Sequence, residues 1–195
     1  MDRQTYEDLA RRIRGLAPRA GDTRVIAIDG PAGSGKTSFA RRLASALDAP
    51  VLHLDDLCPG WDGLDEAPAR LVDWVLEPLA TDGLARYRRY DWDAERYQEW
   101  HDIPAAPALI VEGVGTGSRI AAPYLSLLVW VTAPLDLRMA RGTERDGEVS
   151  RERWETWARR ENELFAREGI QERADLRVNG AAAIAHDPER EFATS

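Results

Sequence analysis

Five short runs rich in apolar residues recur along the chain and are separated by amphipathic stretches. Each run is too short for a core helix and suits a buried strand. In chain order the runs are 25–28, 51–54, 108–111, 127–131 and 175–178. Strands that alternate with helices in this way predict a parallel sheet with helices on both faces.

Amphipathic helices are predicted between these strands. In the first of them, Leu9, Ile13 and Leu16 recur three or four positions apart, as on one face of a helix. Pro78 is expected to end or kink the third. The predicted ranges are 2–17, 38–47, 66–80, a helix that starts near Pro134, and 150–168.

A length of 195 residues suits one α/β domain. We therefore predict a single domain over residues 1–195, built as a three-layer, doubly wound sheet of five parallel strands. A short arginine-bearing lid is expected at about 141–152. The tail at 181–195 is expected to be poorly ordered.

The first predicted strand runs into a glycine-rich segment, residues 30–37, that reads Gly-Pro-Ala-Gly-Ser-Gly-Lys-Thr. It fits the Walker A pattern of a phosphate-binding loop (P-loop), and it lies between a strand and a helix as that loop requires. Glycines let successive amides point inward, and the helix N-terminus adds about half a positive charge. ATP is the expected cofactor, with a glycine-rich turn that binds nothing as the alternative. The predicted cradle is Gly30, Ala32, Gly33, Ser34, Gly35, Lys36, Thr37 and Ser38.

Lys36 is the only lysine in the chain, although lysine and arginine together number 26. A slim ammonium fits inside a phosphate cradle where a planar guanidinium would not. We therefore expect Lys36 to bridge the β- and γ-phosphates and the Thr37 hydroxyl to hold Mg²⁺.

Acidic residues follow two of the predicted strands. Asp55 and Asp56 come after the second strand, and Glu112 comes after the third. Ligands bind outside the carboxyl ends of the strands in sheets of this type. Asp55 is the predicted base for an attacking hydroxyl, while Asp56 either helps bind the acceptor or caps the next turn. Glu112 is the predicted second magnesium ligand, with helix capping as its alternative.

Aromatic residues and arginines supply the candidates for the acceptor. In residues 85–92, Arg89 and Tyr90 could bind an acceptor, or the segment could be a solvated hairpin edge. Trp61 lies in a loop of turn residues that could close over an acceptor.

Three arginines follow the fourth strand. Arg141 and Arg145 are predicted to close on the transferred phosphoryl group and stabilise its charge. Arg138 is expected on a solvated helix face, paired with Asp136 and Glu144.

The net charge of −8 argues against a nucleic-acid partner held by its phosphates. The single cysteine, Cys58, cannot form an internal disulfide, and no apolar run approaches 18 residues. We expect a cytoplasmic protein without a membrane partner, as a monomer or homodimer.

With these residues in place, the chain resembles the uridine kinase and phosphoribulokinase branch of P-loop small-molecule kinases from residue 24 to about 168. Residues 90–92, Tyr-Asp-Trp, are similar to the Tyr-Asp-Phe element of uridine kinases, residues 112–113 to their Glu-Gly, and residues 141–146 to their lid entrance. The resemblance implies that Asp55 is the catalytic base and that Tyr90 helps bind a nucleoside.

Two positions depart from that pattern. Glu95 stands near the place of an expected histidine, and residues 55–58, Asp-Asp-Leu-Cys, replace Asp-Ser-Phe-Tyr. Residues 26–36 also resemble the loop of bacterial cytidylate kinases, but the next strand lacks their Asp-Thr-Gly continuation.

These features predict ATP-dependent transfer of a phosphoryl group to a hydroxyl of a small molecule, with a nucleoside as the foremost acceptor. The alternatives are a kinase for another acceptor, such as a nucleotide (CMP), a sugar acid or an antibiotic, and a P-loop ATPase or switch without a small acceptor.

Overall fold

The computed structural model describes residues 2–146, 151–181 and 184–195. Strands and α-helices alternate through most of this part of the chain. In chain order they are β1 (Arg3–Thr5), α1 (Tyr6–Arg14), β2 (Arg24–Asp29), α2 (Lys36–Leu47), β3 (Val51–His53), α3 (Ala67–Leu71), α4 (Glu77–Thr81), β4 (Ala85–Asp91), β5 (Arg96–Ile103), β6 (Ala108–Glu112), β7 (Leu125–Thr132), α5 (Leu135–Asp146), α6 (Arg151–Glu168), α7 (Ile170–Arg173), β8 (Leu176–Asn179) and β9 (Glu191–Ala193).

Five strands form one parallel sheet in the order β3-β6-β2-β7-β8. The predicted sheet is confirmed, and the strand bounds differ from the prediction by one or two residues. Glu112 is paired with Ile28 of β2 on one side and His53 of β3 on the other. The carboxyl ends of these three strands therefore meet at one edge of the sheet, where ligands bind in folds of this type.

Each face of the sheet is covered by a separate apolar core. Along β2, Val25 and Ala27 face one core while Ile26 and Ile28 face the other, as the alternation of side chains in a strand requires. The first core contains residues of α3, α4 and α6, and the second contains residues of α1 and α2. This arrangement confirms the three-layer, doubly wound architecture.

Two predicted helices differ in detail from the structure. Helix α1 begins at Tyr6, capped by the Thr5 side chain, because residues 3–5 form a strand instead. The third predicted helix continues past Pro78 to Thr81, and a π-helical turn, Val72–Leu76, precedes the proline. Such a turn changes the hydrogen-bond register where proline cannot donate.

The expectation of a poorly ordered tail was wrong for residues 184–195. Strand β9 pairs antiparallel with β1, and Phe192 is only 3% exposed. Its ring centroid lies 5.2 Å from that of Tyr6 and 5.1 Å from that of Phe39. The tail is therefore attached to α1 and α2 by this aromatic residue as well as to β1 by strand pairing.

Strands β4 and β5 form an antiparallel hairpin apart from the main sheet. It packs on the π-helical turn, where the ring of Trp74 lies 5.4 Å from both Tyr97 and Trp100.

Within the predicted lid, residues 141–146 end α5 and residues 151–152 begin α6, whereas residues 147–150 lie outside the described part. None of the helices described here combines the length and the apolar character needed to cross a membrane.

Candidate active site

The glycine-rich segment forms the loop between β2 and α2, and Lys36 begins α2. Gly30 has a φ of +140°, and a Cβ there would lie 2.0 Å from the carbonyl oxygen of Val131. At Gly33, with a φ of +76°, a Cβ would lie 2.5 Å from the carbonyl oxygen of Arg138. Only glycine fits these two positions, because the loop backbone packs directly on β7 and α5.

Lys36 and Thr37 lie where the loop meets the helix. The Lys36 Nζ donates a hydrogen bond to the carbonyl of Pro31 at 3.1 Å. The Thr37 hydroxyl donates to Oε1 of Glu112 at 3.0 Å. A hydroxyl oxygen and a carboxylate side by side form the hard oxygen donor set that Mg²⁺ prefers, so these residues fit the predicted metal.

His53 is a site residue that the sequence analysis did not identify. Its Nδ1 lies 2.6 Å from Oε1 of Glu112. This hydrogen bond raises the pKa of His53. Burial acts to raise the pKa of Glu112, but His53, Lys36 and Thr37 together bring it below its usual value. Glu112 is therefore held as an anion beside the phosphate loop.

Glu161 of α6 is a second buried carboxylate beside the loop. Its Oε2 accepts a hydrogen bond from the amide of Ala32 at 2.9 Å, and its Oε1 accepts one from Nη1 of Arg138 at 3.1 Å. Burial raises the pKa of Glu161. The expectation of a solvated Arg138 was wrong, because only 13% of its side chain is exposed. Because Glu161 belongs to α6, the amide of Ala32, one of the predicted phosphate-binding residues, is hydrogen-bonded to this helix in the structure.

Arg141 connects the phosphate loop to the segment that follows β8. Its guanidinium donates to the carbonyl of Gly33 and to the carbonyl of Gly180, each at 3.1 Å. The side chain of Arg145, its predicted companion, lies outside the described part of the structure. The roles of both arginines in catalysis remain predictions.

A cleft of about 810 Å³ extends from the phosphate loop towards the β4–β5 hairpin and α6. Predicted site residues and unpredicted ones both contribute to its walls. They are Ala32, Gly33, Gly35, Lys36, Thr37, Ser38, Asp55, Trp61, Trp92, Asp93, Glu112, Gly113, Val114, Arg141, Gly142, Arg153, Trp154 and Trp157.

Four tryptophans form one wall of the cleft. The ring centroid of Trp61 lies 5.9 Å from Trp92, 6.3 Å from Trp154 and 5.6 Å from Trp157, all nearly edge-on. Trp61 is the tryptophan that was named as an acceptor residue, and Trp92 ends the segment 85–92 for which acceptor binding was one of two alternatives. Trp154 and Trp157 come from α6, and the sequence analysis did not identify them. The cleft thus has a polar phosphate end and an aromatic end.

Asp55 also lines the cleft, and it lies in a 3₁₀ turn, Leu54–Asp56, that follows β3. The hairpin holds this turn through two hydrogen bonds. Trp92 Nε1 donates to the carbonyl of Asp55 at 3.2 Å, and the Tyr97 hydroxyl donates to the carbonyl of Leu57 at 2.7 Å. The carboxylate proposed as the base is therefore positioned by the hairpin as well as by β3.

The residues that line the cleft in the described part of the chain do not include Asp56, Arg89 or Tyr90, which were predicted to bind the acceptor. Tyr90 is 9% exposed and packs against Trp92 and Tyr97. Asp56 is half-buried; burial raises its pKa, and the nearby charges of Arg89 and other basic groups oppose that effect. Gly30 and Ser34 are also missing from these walls, and both are buried.

A second cavity of about 450 Å³ adjoins the phosphate loop on the side of Arg141. Gly35 and Ser38 line it from the loop, and Gly180 lines it from the segment after β8. The C-terminal segment contributes His186 and Phe192. The ordered tail therefore completes this cavity.

Two solved structures share this architecture over most of the chain. One, named as a possible uridine kinase from Bacillus stearothermophilus, has a TM-score of 0.63 at 18% identity and covers 88% of this chain and 96% of its own. The chain shares the three-layer α/β fold of that structure. A structure from Silicibacter sp. TM1040, provisionally assigned as a fructose transport system kinase, has a TM-score of 0.60 at 21% identity and covers 89% of this chain and 98% of its own.

Two curated proteins are similar in sequence, and both are named cytidylate kinase. That of Haloarcula marismortui is 28% identical over 149 residues, which is 72% of each chain. That of Rhodospirillum rubrum is 29% identical over 143 residues, covering 60% of this chain and 67% of its own. No protein-family model matches the chain. All four of these similar proteins are named as kinases or possible kinases.

Proposed function

We propose that this protein is an ATP-dependent kinase that transfers the γ-phosphoryl group to a hydroxyl of a small molecule, foremost a nucleoside. The observation that carries the proposal is the single cleft that joins a phosphate loop to Asp55 and an aromatic wall. A donor phosphate and a flat acceptor would meet there with a carboxylate between them.

The loop amides and Lys36 would bind the ATP phosphates, and the cavity next to Arg141 is suited to the donor base. Thr37 and Glu112 would hold Mg²⁺, which when bound neutralises charge on the transferred group. Asp55 would accept the proton of the attacking hydroxyl. Arg141 would stabilise the transferred group, with Arg145 as its predicted companion.

The aromatic end of the cleft supports an uncharged, flat acceptor. Trp61 and its neighbours offer edges and faces to a planar ring. Asp55 and Asp93 line the same cleft, and the guanidinium of Arg153 lies 5.9 Å from the centroid of the Trp61 ring. An acceptor phosphate would carry about two negative charges towards those carboxylates. A nucleoside therefore suits this end better than a nucleotide.

A thermal-shift screen with a non-hydrolysable ATP analogue and Mg²⁺ tests the choice of acceptor, because a true acceptor stabilises only the native state. We expect nucleosides to raise the melting temperature above the value measured with the analogue alone, and nucleoside monophosphates to raise it less. The compounds that bind are then assayed for ATP-dependent phosphorylation. Lys36→Ala should abolish that activity, and near-normal turnover by this variant would contradict the mechanism.

The second candidate function is a nucleotide-dependent switch or ATPase, which the phosphate loop alone would also support. It predicts ATP hydrolysis that no small hydroxyl compound alters. The four-tryptophan wall favours the kinase, because a switch has little use for a stacking site beside its phosphate loop.

A further inference from the structure

Asp29 is the last residue of β2, and its side chain is fully buried where the sheet leads into the phosphate loop. Its carboxylate accepts hydrogen bonds from the amides of Gly30 at 2.7 Å, Gly115 at 3.1 Å and Gly117 at 2.8 Å. Gly30 begins the phosphate loop, whereas Gly115 and Gly117 lie in the loop that follows Glu112. One carboxylate therefore joins the two segments that carry the proposed magnesium ligands.

The loop that follows Glu112, residues 113–117, is rich in glycine and has to be held in place by its neighbours. Glycine occupies positions 113, 115 and 117, and φ is +142° at Gly113 and +98° at Gly115. Glycine backbone is conformationally free, so the loop would sample many conformations if it were not held. The amide of Gly113 still pairs with the carbonyl of Ile28. Beyond that point, Asp29 attaches the loop to β2.

The charge on Asp29 does not favour folding at neutral pH. Burial raises its pKa to about 6, although the three amides and the charge of Lys36 act in the opposite direction. An ionised carboxylate at this position therefore costs stability above pH 6 relative to the unfolded chain.

We propose that Asp29 is a positioning residue that holds the phosphate loop and residues 113–117 at the spacing that Thr37 and Glu112 need to share one Mg²⁺. This inference rests on the magnesium-dependent phosphoryl transfer proposed above. In Asp29→Asn, the side-chain NH₂ would face backbone amides that are themselves donors. At least one of the three hydrogen bonds to the carboxylate is then lost.

The test measures the affinity for a non-hydrolysable ATP analogue with Mg²⁺ and with EDTA, followed by the fluorescence of the cleft tryptophans. Asp175→Asn is the matched control, because Asp175 also accepts a backbone amide, that of Leu128 at 2.8 Å, but at the β7–β8 side of the sheet. We expect Mg²⁺ to improve affinity equally in the wild type and in Asp175→Asn. In Asp29→Asn, the ratio of the affinity with Mg²⁺ to the affinity in EDTA should be at least tenfold smaller than in the wild type. The affinity in EDTA itself should stay within threefold of the wild-type value.

An unchanged magnesium effect in Asp29→Asn would overturn the inference, and so would an equal loss of affinity with and without Mg²⁺, which indicates a merely structural role. A wild type in which Mg²⁺ has no effect would instead overturn the metal site of the proposed function. If Asp29→Asn does not fold, amide hydrogen exchange in the wild type provides the test. Gly115 and Gly117 should exchange more slowly with the analogue and Mg²⁺ than with the analogue in EDTA, and equal rates would overturn the inference.

Discussion

Asp55 and Asp56 are adjacent in sequence but lie in different surroundings. Asp55 lines the cleft and is exposed, whereas Asp56 is half-buried and its pKa is raised by burial. A carboxylate that accepts a proton from an acceptor hydroxyl must reach the cleft. The role of base therefore stays a prediction for Asp55, which has the exposed carboxylate in the cleft.

Asp55→Asn should lower kcat by about 10²- to 10⁴-fold, because an amide cannot take the proton. Its Kd for the ATP analogue should stay within about twofold of the wild type, since the phosphate loop is unchanged. Asp56→Asn is the matched comparison and should lower kcat by less than tenfold. A larger effect of Asp56→Asn than of Asp55→Asn would reverse the assignment, and loss of nucleotide binding in Asp55→Asn would assign Asp55 to the metal.

The raised pKa of Asp29, about 6, predicts a pH-dependent stability. Between its unfolded value of about 3.9 and the folded value of about 6, the folded chain binds more protons than the unfolded chain. The contribution of Asp29 to the free energy of unfolding therefore falls as pH rises through this window, by at most about 3 kcal/mol. The difference between the urea midpoint of the wild type and that of Asp29→Asn should become smaller from pH 4.5 to pH 7.5. A difference that grows with pH would contradict the upward direction of the pKa shift of Asp29.

The β4–β5 hairpin is the element whose role the sequence left undecided between a solvated edge and an acceptor-binding segment. In the structure it does more than form an edge, because Trp92 and Tyr97 hydrogen-bond the turn that carries Asp55. Helix α6 likewise reaches the phosphate loop through Glu161 and adds Trp154 and Trp157 to the cleft. Both elements therefore contribute to the walls of the cleft.

Tyr97→Phe removes one hydrogen bond, to the carbonyl of Leu57, and keeps the ring that packs on Trp74 and Tyr90. We expect kcat to fall by roughly threefold to tenfold as the Asp55 turn loosens, and the free energy of unfolding to fall by about 1 kcal/mol. Binding of the ATP analogue should be unchanged. Tyr124→Phe, in the 3₁₀ turn before β7, serves as the control, and an equal loss of activity in both variants would exclude a specific role for the hairpin bond.

On the scale of the whole molecule, the C-terminal segment closes the second core and the cavity beside the phosphate loop. Phe192 packs on Tyr6 of α1 and on Phe39 of α2, the helix that begins at the loop. The two ends of the chain are therefore part of one packed unit with the nucleotide site.

Phe192→Ala should lower the free energy of unfolding by about 3 kcal/mol, because it leaves a cavity among buried aromatic rings. Leu84→Ala is the control, since Leu84 is 74% exposed, and its effect should stay within about 0.5 kcal/mol. Urea unfolding measures both. Equal midpoints for the two variants would show that the tail contributes little to stability.

The parts of this molecule that could be predicted from sequence are those set by local patterns. The apolar runs indicated all five strands, and the spacing of glycine, lysine and threonine indicated the phosphate loop. Polar pairs between elements could not be predicted, because they depend on which strands or helices become neighbours. His53 meets Glu112 through the β3–β6 register, and Arg138 meets Glu161 through the packing of α5 on α6. The tail was missed because its partner lies at the opposite end of the chain.

The central claim is that residues 30–37 bind the triphosphate of a magnesium nucleotide. A crystal structure of the protein with Mg²⁺ and a non-hydrolysable ATP analogue tests it most directly. The account predicts the β-phosphate within hydrogen-bond distance of the loop amides and Lys36, and the metal bound by Thr37 with Glu112 beside it. A loop left empty at saturating nucleotide, or an analogue bound elsewhere on the protein, would contradict it.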